Sequence, residues 1–567
     1  MLRGLPTDIH EFMQWSWSQI QPYFDELQNR SINADNVIEW LEDRALISQM
    51  IVESYSRLYV ATTVDTTDEE AEKRFLNFIE TIIPEMRVAD QKLKEKLLES
   101  GLQPQGFDIA LRNIRTEAEL FRDENVPLFT EEDKLRTEYD KIIAAQTVEW
   151  EGEERTVPQM RPVLLDTDRA VRERAWRLTV ERQLADREAL NDLWKRFLTL
   201  RREIAANADM PDYRAYIWRS LLRFDYSPDD CLDFHRAIEE VVVPAATRIY
   251  EKRRARLGVT SLRPWDTDVD PLGRSPLKPF DDVKVLVEKM ASIFNRVDPQ
   301  LGSYYAIMQR EGLLDLDNRK GKAPGGYCTS FDYTERPFIF MNAVGLHDDV
   351  QTLLHEGGHA FHVFESVDLP RYQRIEVPTE FAEVASMAME LLGAPYLSRD
   401  AGGFYNQEEA ARARVEHLEG IILFWPYMAV VDAFQHWVYT YPEDALDPAH
   451  CDAKWAELWD RFMPGIDYSG LDDVKMTGWH RKLHIFQIPF YYVEYGLAQL
   501  GAVQVWRNSL SDQAKAIAEY RKALALGGTV SLPSLFSAAG AKFAMNSATL
   551  HDAVELVERT LEQLDPA

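Results

Sequence analysis

The feature that most restricts how this chain can fold is a five-residue cluster, His355-Glu356-Gly357-Gly358-His359. Side chains at i and i+4 lie one above the other on an α-helix, so both imidazoles can reach one cation. Glu356, beside the first histidine, can approach a water held by that cation. Apolar Leu353, Leu354, Phe361 and Val363 flank the cluster, which makes the helix largely buried. Histidines do not collect in a core without partners. Gly357 and Gly358 each cost about 1 kcal/mol relative to alanine inside a helix. Such a local fault is expected where something must approach the backbone closely. With 12 histidines in 567 residues, chance yields roughly two or three such clusters per hundred chains of this length. The plain alternative, a solvated helix with scattered polar residues, fits the apolar surround poorly.

Catalytic zinc takes three protein ligands and keeps a fourth position for water. His362 shares a face with His355, but seven residues of helix rise about 10.5 Å, too far for three rings to share one ion. A second helix, 379–392, is the better source; it follows Pro378, with Thr379 as its expected cap. Glu380, Glu383, Met387 and Glu390 fall along one stripe, and the segment contains no basic residue. Acidic groups facing inward without basic partners point to a cation. Spacing alone leaves the choice among these carboxylates open.

Elsewhere the chain carries mostly a helical period, over 37–58, 168–206 (broken at least once), 229–257, 281–294, 410–441, 484–499 and 512–526. Strand signals are few: a hairpin over 147–157 turning at Glu151-Gly152-Glu153, and a short pair at 327–331 and 337–342. A hydrophobic fraction of 46% supports a large core and excludes global disorder. Pro158 and Pro162 after the hairpin suggest a boundary, and the proline-rich stretch 262–280 has too many breakers for a regular element. The expected division is an N-terminal helical domain, 1–160, and a catalytic domain, 161–567.

The net charge of −30 argues against nucleic acid as the main partner, since phosphate binding needs a basic face. Cys231, Cys328 and Cys451 lie far apart with no CxxC pair, which excludes a disulfide framework and fits a reducing compartment. The most apolar stretch, 420–434, is too short to span a bilayer and contains Pro426 and Asp432, so it reads as a buried helix. Pro6, Asp8 and Glu11 interrupt any apolar leader at the start. The expectation is a soluble, cytoplasmic protein without membrane contact.

HEGGHAFH, followed 24 residues after His359 by Glu383 in FAEVAS, resembles the thimet oligopeptidase / oligoendopeptidase F family of zinc metallopeptidases, on its oligoendopeptidase F branch. The resemblance is clearest over 320–500, and GGYCTSFDYTERPFIFMN at 325–342 is similar to the family's glycine-rich loop and edge strand. It implies a mostly α, zincin-like fold, with two helical halves around a deep cleft and a small β-sheet near the active site. It implies one zinc held by His355, His359 and Glu383. Glu390 would hold the histidines in the right tautomer, and His362 would be supportive rather than a ligand. Glu356 would be the general base, and short unstructured peptides the substrates.

A zinc peptidase must also neutralise the oxyanion that forms on the scissile carbonyl. Offsets of 7, 8 and 11 from His484 put Tyr491, Tyr492 and Tyr495 near one helical face, with Pro489 distorting the first turn. An aromatic core stripe is the bland reading of the same spacing. The resemblance implies the catalytic one, with Tyr492 and Tyr495 keeping the family's gap and Tyr491 standing in for its earlier tyrosine. His436, on an apolar helix, reads as a core histidine, and Cys328 as a small buried residue. Two rival functions remain: a zinc carboxypeptidase using Arg481 or Lys482 for the terminal carboxylate, and a non-catalytic helical protein with a structural metal. A structural site would be closed by a fourth ligand and would not need Glu356.

Overall fold

A computed structural model describes residues 2–319, 321–323 and 325–565. The chain is 69% helical with two small sheets, so the mostly α expectation holds. Contacts divide it into two discontinuous units: Met1–Phe121, Lys278–Ala413 and Gly501–Phe543 form the first, and Arg122–Leu277, Arg414–Leu500 and Ala544–Ala567 the second. The division at residue 160 runs along the sequence, whereas these units are assembled from three segments each.

In the first unit, helices Trp17–Asn29, Val37–Val64, Ile83–Glu99 and Asp108–Leu120 bury Ile20, Phe24, Trp40, Ile47, Met50 and Leu93 in one apolar cluster. The Trp40 indole donates to the Leu27 carbonyl at 2.9 Å, satisfying the one polar atom of a fully buried ring. A three-stranded sheet follows: β3 (Leu314–Asp317), β4 (Tyr327–Phe331) and β5 (Arg336–Ala343), in the order β3-β5-β4. β4 and β5 pair antiparallel with Cys328 opposite Ile339, as the sequence suggested. β3 joins β5 in parallel and was not anticipated.

Leaving β5, the chain turns into the motif helix, His347–Ser366. Asp349 Oδ2 accepts the backbone N–H groups of Val344, Gly345 and Leu346 at 2.8–2.9 Å. One carboxylate thus ties the turn to the first turn of the helix, where its charge also complements the helix dipole. The carboxylate helix, Thr379–Gly393, starts with Pro378 in the capping position and no side-chain cap. Thr379 is therefore its first helical residue and not the expected cap.

The second unit opens with helix Asn125–Ala144 and the hairpin β1 (Thr147–Trp150) and β2 (Glu153–Thr156). Glu151 and Gly152 both have positive φ, 54° and 84°, the pairing a tight two-residue turn requires. Helices Arg169–Leu184 and Arg187–Asn207 show the break expected in 168–206. The pattern at 229–257 is Pro228–Ala237, a wider five-residue turn at Ile238–Val242, and Val243–Leu257. Pro244 cannot donate a helical hydrogen bond, which accounts for the widened turn before it.

Helix Gln407–Thr440 is longer than its apolar stretch and matches a membrane span in length and hydropathy, but 61% of its apolar window is buried inside the protein. Asp432 lies in it with no exposed surface. It serves as a core helix.

The expected helix over 484–499 is interrupted. Leu483–Gln487 is a short helix, and a new one, Tyr492–Ser511, begins five residues later. Pro489 disfavours helix at Ile488, and Phe490 takes φ +65°. Tertiary bonds hold that strained turn: Phe490 N–H donates to Gln435 Oε1 at 2.7 Å, and its carbonyl accepts from Arg223 at 2.6 Å. Fully buried Arg201 donates to the carbonyls of Ile485 and Phe486, so the end of the short helix is satisfied as well.

Candidate metal centre

The motif helix and the carboxylate helix lie in van der Waals contact because Gly358 has no side chain. A Cβ there would come 2.4 Å from the Ala385 carbonyl oxygen and 2.5 Å from Ser386 Cα. Gly357 faces Phe294, whose ring would lie 2.5 Å from an added Cβ. The two glycines, unfavourable as helix formers, are what close packing requires at this crossing.

Across that contact, one ligand atom each from His355, His359 and Glu383 lies within 4.8 Å of the other two. Glu383 Oε2 is 3.3 Å from His355 Nε2 and 3.6 Å from His359 Nε2. The opposite nitrogen of His355, Nδ1, bonds Glu390 Oε1 at 2.7 Å. This leaves Nε2 facing Glu383 and His359. The Ser386 hydroxyl donates to Glu383 Oε2 at 3.0 Å. Burial opposes charge on Glu383, yet the neighbouring His359 and His355 hold it below the usual carboxylate range. His355 moves the other way: burial works against its cation, and Glu383 and Glu390 raise it well above the ordinary imidazole value. Burial lowers His359 to about 4. Two imidazoles and a carboxylate aimed at one point fit a divalent cation of the zinc type, with Glu390 and Ser386 bonded to His355 and Glu383 and holding them in place.

Glu356 is 7% exposed. Burial raises it to about 7, opposed by His355 and by the Cys328 backbone N–H. A carboxylate shifted toward neutrality beside side chains that could hold a metal ion has the properties of a proton acceptor. Sequence reading did not foresee the strand donor, because a backbone group leaves no mark in residue types.

The other expected residues divide. His362 does not join the three: it is buried beside the Phe381 ring, 6.1 Å away, and burial pushes it down to about 3. Glu380 is equally buried but is not among the converging side chains. In the second unit His484, Tyr491, Tyr492 and Tyr495 do gather, with the His484 ring 4.9 Å from Tyr492 and 6.0 Å from both Tyr491 and Tyr495. What brings them together is the turn at Phe490 and not one continuous helical face. Lys482 lies 4.2 Å over the Tyr492 ring, and burial lowers it to about 8. Arg481 donates to the Val474 carbonyl.

A mostly helical chain carrying HExxH on one buried helix and a facing glutamate on the next has the zincin-like architecture of a helical metallopeptidase. Residues 163–554 match peptidase family M3. The chain belongs to that family, whose members are in general zinc metallopeptidases. The oligoendopeptidase F homolog of Borreliella burgdorferi is 22% identical over 295 residues, covering 51% of this chain and 48% of its own. Oligopeptidase PepF of Bacillus subtilis is 32% identical over 127 residues, 22% of this chain and 19% of its own. The chain thus spans about half the length, or less, of the curated relatives it matches. In structure, PZ peptidase A, solved with an inhibitor, superposes with a TM-score of 0.89 at 27% identity, over 100% of this chain and 99% of that one.

Proposed function

We propose that this chain is a zinc endopeptidase that hydrolyses short unstructured peptides with Glu356 as general base. The observation that carries the reading is the convergence of His355, His359 and Glu383 ligand atoms within 4.8 Å, with no fourth protein ligand among the described residues of that cluster. Three ligands and an open position are the catalytic arrangement of zinc. When bound, zinc acidifies a water and polarises the scissile carbonyl.

The chain's own groups do the rest. Glu390 accepts from His355 Nδ1–H and so fixes the tautomer that presents Nε2 to the ion. Glu356 accepts a proton from the attacking water at a carboxylate oxygen and returns it to the leaving amine nitrogen. The family resemblance assigns the oxyanion to Tyr492 and Tyr495, with His484 and Tyr491 beside them. Wide cysteine spacing supports a reducing, cytoplasmic setting.

The test joins metal analysis with digestion of an internally quenched peptide blocked at both ends. One zinc at this site and cleavage at internal bonds are expected. Cleavage that requires a free C-terminal carboxylate would replace this reading with a carboxypeptidase, and zinc binding without any peptide cleavage would replace it with a structural site.

A further inference from the structure

The second unit contains another cluster of metal-ligating side chains. Cys231 and His235 are i and i+4 on helix Pro228–Ala237, and Asp432 and His436 are i and i+4 on helix Gln407–Thr440. Each pair therefore projects from one face of its helix. All four are buried, none more than 3% exposed.

Cys231 Sγ, an Asp432 carboxylate oxygen and a His436 ring nitrogen lie within 4.8 Å of one another. His235 Nε2 is 2.8 Å from Asp432 Oδ2, and His436 Nε2 is 3.3 Å from the same oxygen. Even so, Asp432 Oδ1 and both ring nitrogens of His436 make no well-aligned hydrogen bond.

As a plain core residue, His436 is well packed, 5.0 Å from the Phe490 ring and 5.9 Å from Trp218. That reading explains its shape but not its nitrogens. Buried polar atoms left without partners are rare and call for an explanation. Here Asp432 Oδ1 and His436 Nδ1 are two such atoms, in a cluster that also holds a thiol and whose carboxylate is ion-paired only with imidazoles. A divalent cation would engage one His436 nitrogen and the Asp432 carboxylate together, one ligand atom from each residue. With Cys231 as thiolate and Asp432 ionised, its two charges are neutralised, which a dry interior requires.

We propose that Cys231, Asp432 and His436, closed by His235, form a second metal site in this protein, structural in character and suited to zinc. Thiolate and imidazole donors select zinc over magnesium or calcium. Tetrahedral bonds of about 2.0–2.3 Å bring ligand atoms to about 3.5 Å from one another, so Cys231, Asp432 and His436 need only a small contraction, while His235 must exchange its bond to Asp432 Oδ2 for the ion. The Cys231 thiol releases its proton to solvent as the metal binds.

Cobalt(II) separates this site from the one holding Glu383, because thiolate coordination gives a near-ultraviolet charge-transfer band that histidine and glutamate ligands lack. The full chain is stripped with chelator, reloaded with cobalt and dialysed. Two equivalents per chain and a sulfur-to-cobalt band are expected. Cys231→Ser should lose the band and one equivalent, Cys328→Ser should keep both, and His359→Ala should keep the band while losing one equivalent. The last variant makes the result independent of the peptidase reading. Should Cys231→Ser fail to fold, the wild-type, Cys328→Ser and Cys451→Ser spectra still decide, since these are the three cysteines of the chain. The absence of a sulfur band in wild type, or a band that disappears with Cys328 or Cys451, overturns the proposal.

Discussion

Replacing Gly358 with alanine tests whether contact between two helices sets the metal site. In an unconstrained helix the exchange stabilises by about 1 kcal/mol; here the opposite is expected. The new Cβ would sit 2.4 Å from the Ala385 carbonyl oxygen, and ordinary contact begins at 3.4 Å, so the carboxylate helix must retreat by about 1 Å. Overpacking of this kind costs about 1–3 kcal/mol. Ser386, the other residue struck, bonds Glu383, so the displacement passes directly to a ligand. Metal–ligand distances tolerate about 0.2 Å. Zinc affinity should therefore fall by about 10–100-fold, the range seen when a ligand loses its support. Competition against a chromophoric chelator gives the affinity, and a thermal melt of the metal-free protein gives the stability. Gly420→Ala is the control: this exposed helical glycine has nothing within 4 Å of an added Cβ and should gain about 1 kcal/mol with zinc binding unchanged. If Gly358→Ala binds zinc like wild type and melts no lower, the helix crossing does not position the ligands and the reasoning fails.

Three further outcomes are expected. Glu356→Gln should retain zinc and lose about 10²–10⁴-fold in turnover, the contribution of a general base; normal rates at full metal occupancy would refute that role. Glu383→Ala should emerge from dialysis without the zinc of the His355–His359 site and Glu380→Ala with it, and the reverse zinc contents would exchange their assignments. Tyr492→Phe and Tyr495→Phe should each lower kcat by about 10²–10³-fold with little change in KM, as loss of an oxyanion donor does. Unchanged kinetics with a lower Tm would place these tyrosines in the core instead.

The motif helix was legible because its chemistry and its period agree: two histidines one turn apart, apolar flanks, and glycines where a neighbour presses in. Its partner was legible only in part. The stripe of Glu380, Glu383 and Glu390 announced an inward acidic face, and family resemblance, not spacing, singled out Glu383. The hairpin was readable from Gly152, since few residues tolerate the φ its turn requires. The break before Tyr492 was readable only as a distortion at Pro489. Its actual form depends on Gln435 and Arg223, 55 and 267 positions away, and local periodicity contains no such information. β3 escaped for a related reason: four residues paired in parallel carry neither a turn signal nor enough alternation to register. The cluster at Cys231 joins helices 197 residues apart, each showing only one ordinary pair of polar residues.

The backbone N–H of Cys328, which favours the charged form of Glu356, has a bearing on how this protein can vary. A donor that belongs to the main chain is shared by nineteen of the twenty amino acids, so position 328 can drift in side chain without withdrawing the N–H from Glu356. Proline alone removes the N–H. Constraint on this contact therefore falls on the path and register of β4, and substitutions that shift the strand by a fraction of an ångström would be felt at Glu356 although they touch no catalytic side chain. Residue identity at 328 is in this sense free, while the geometry there is inherited with the sheet.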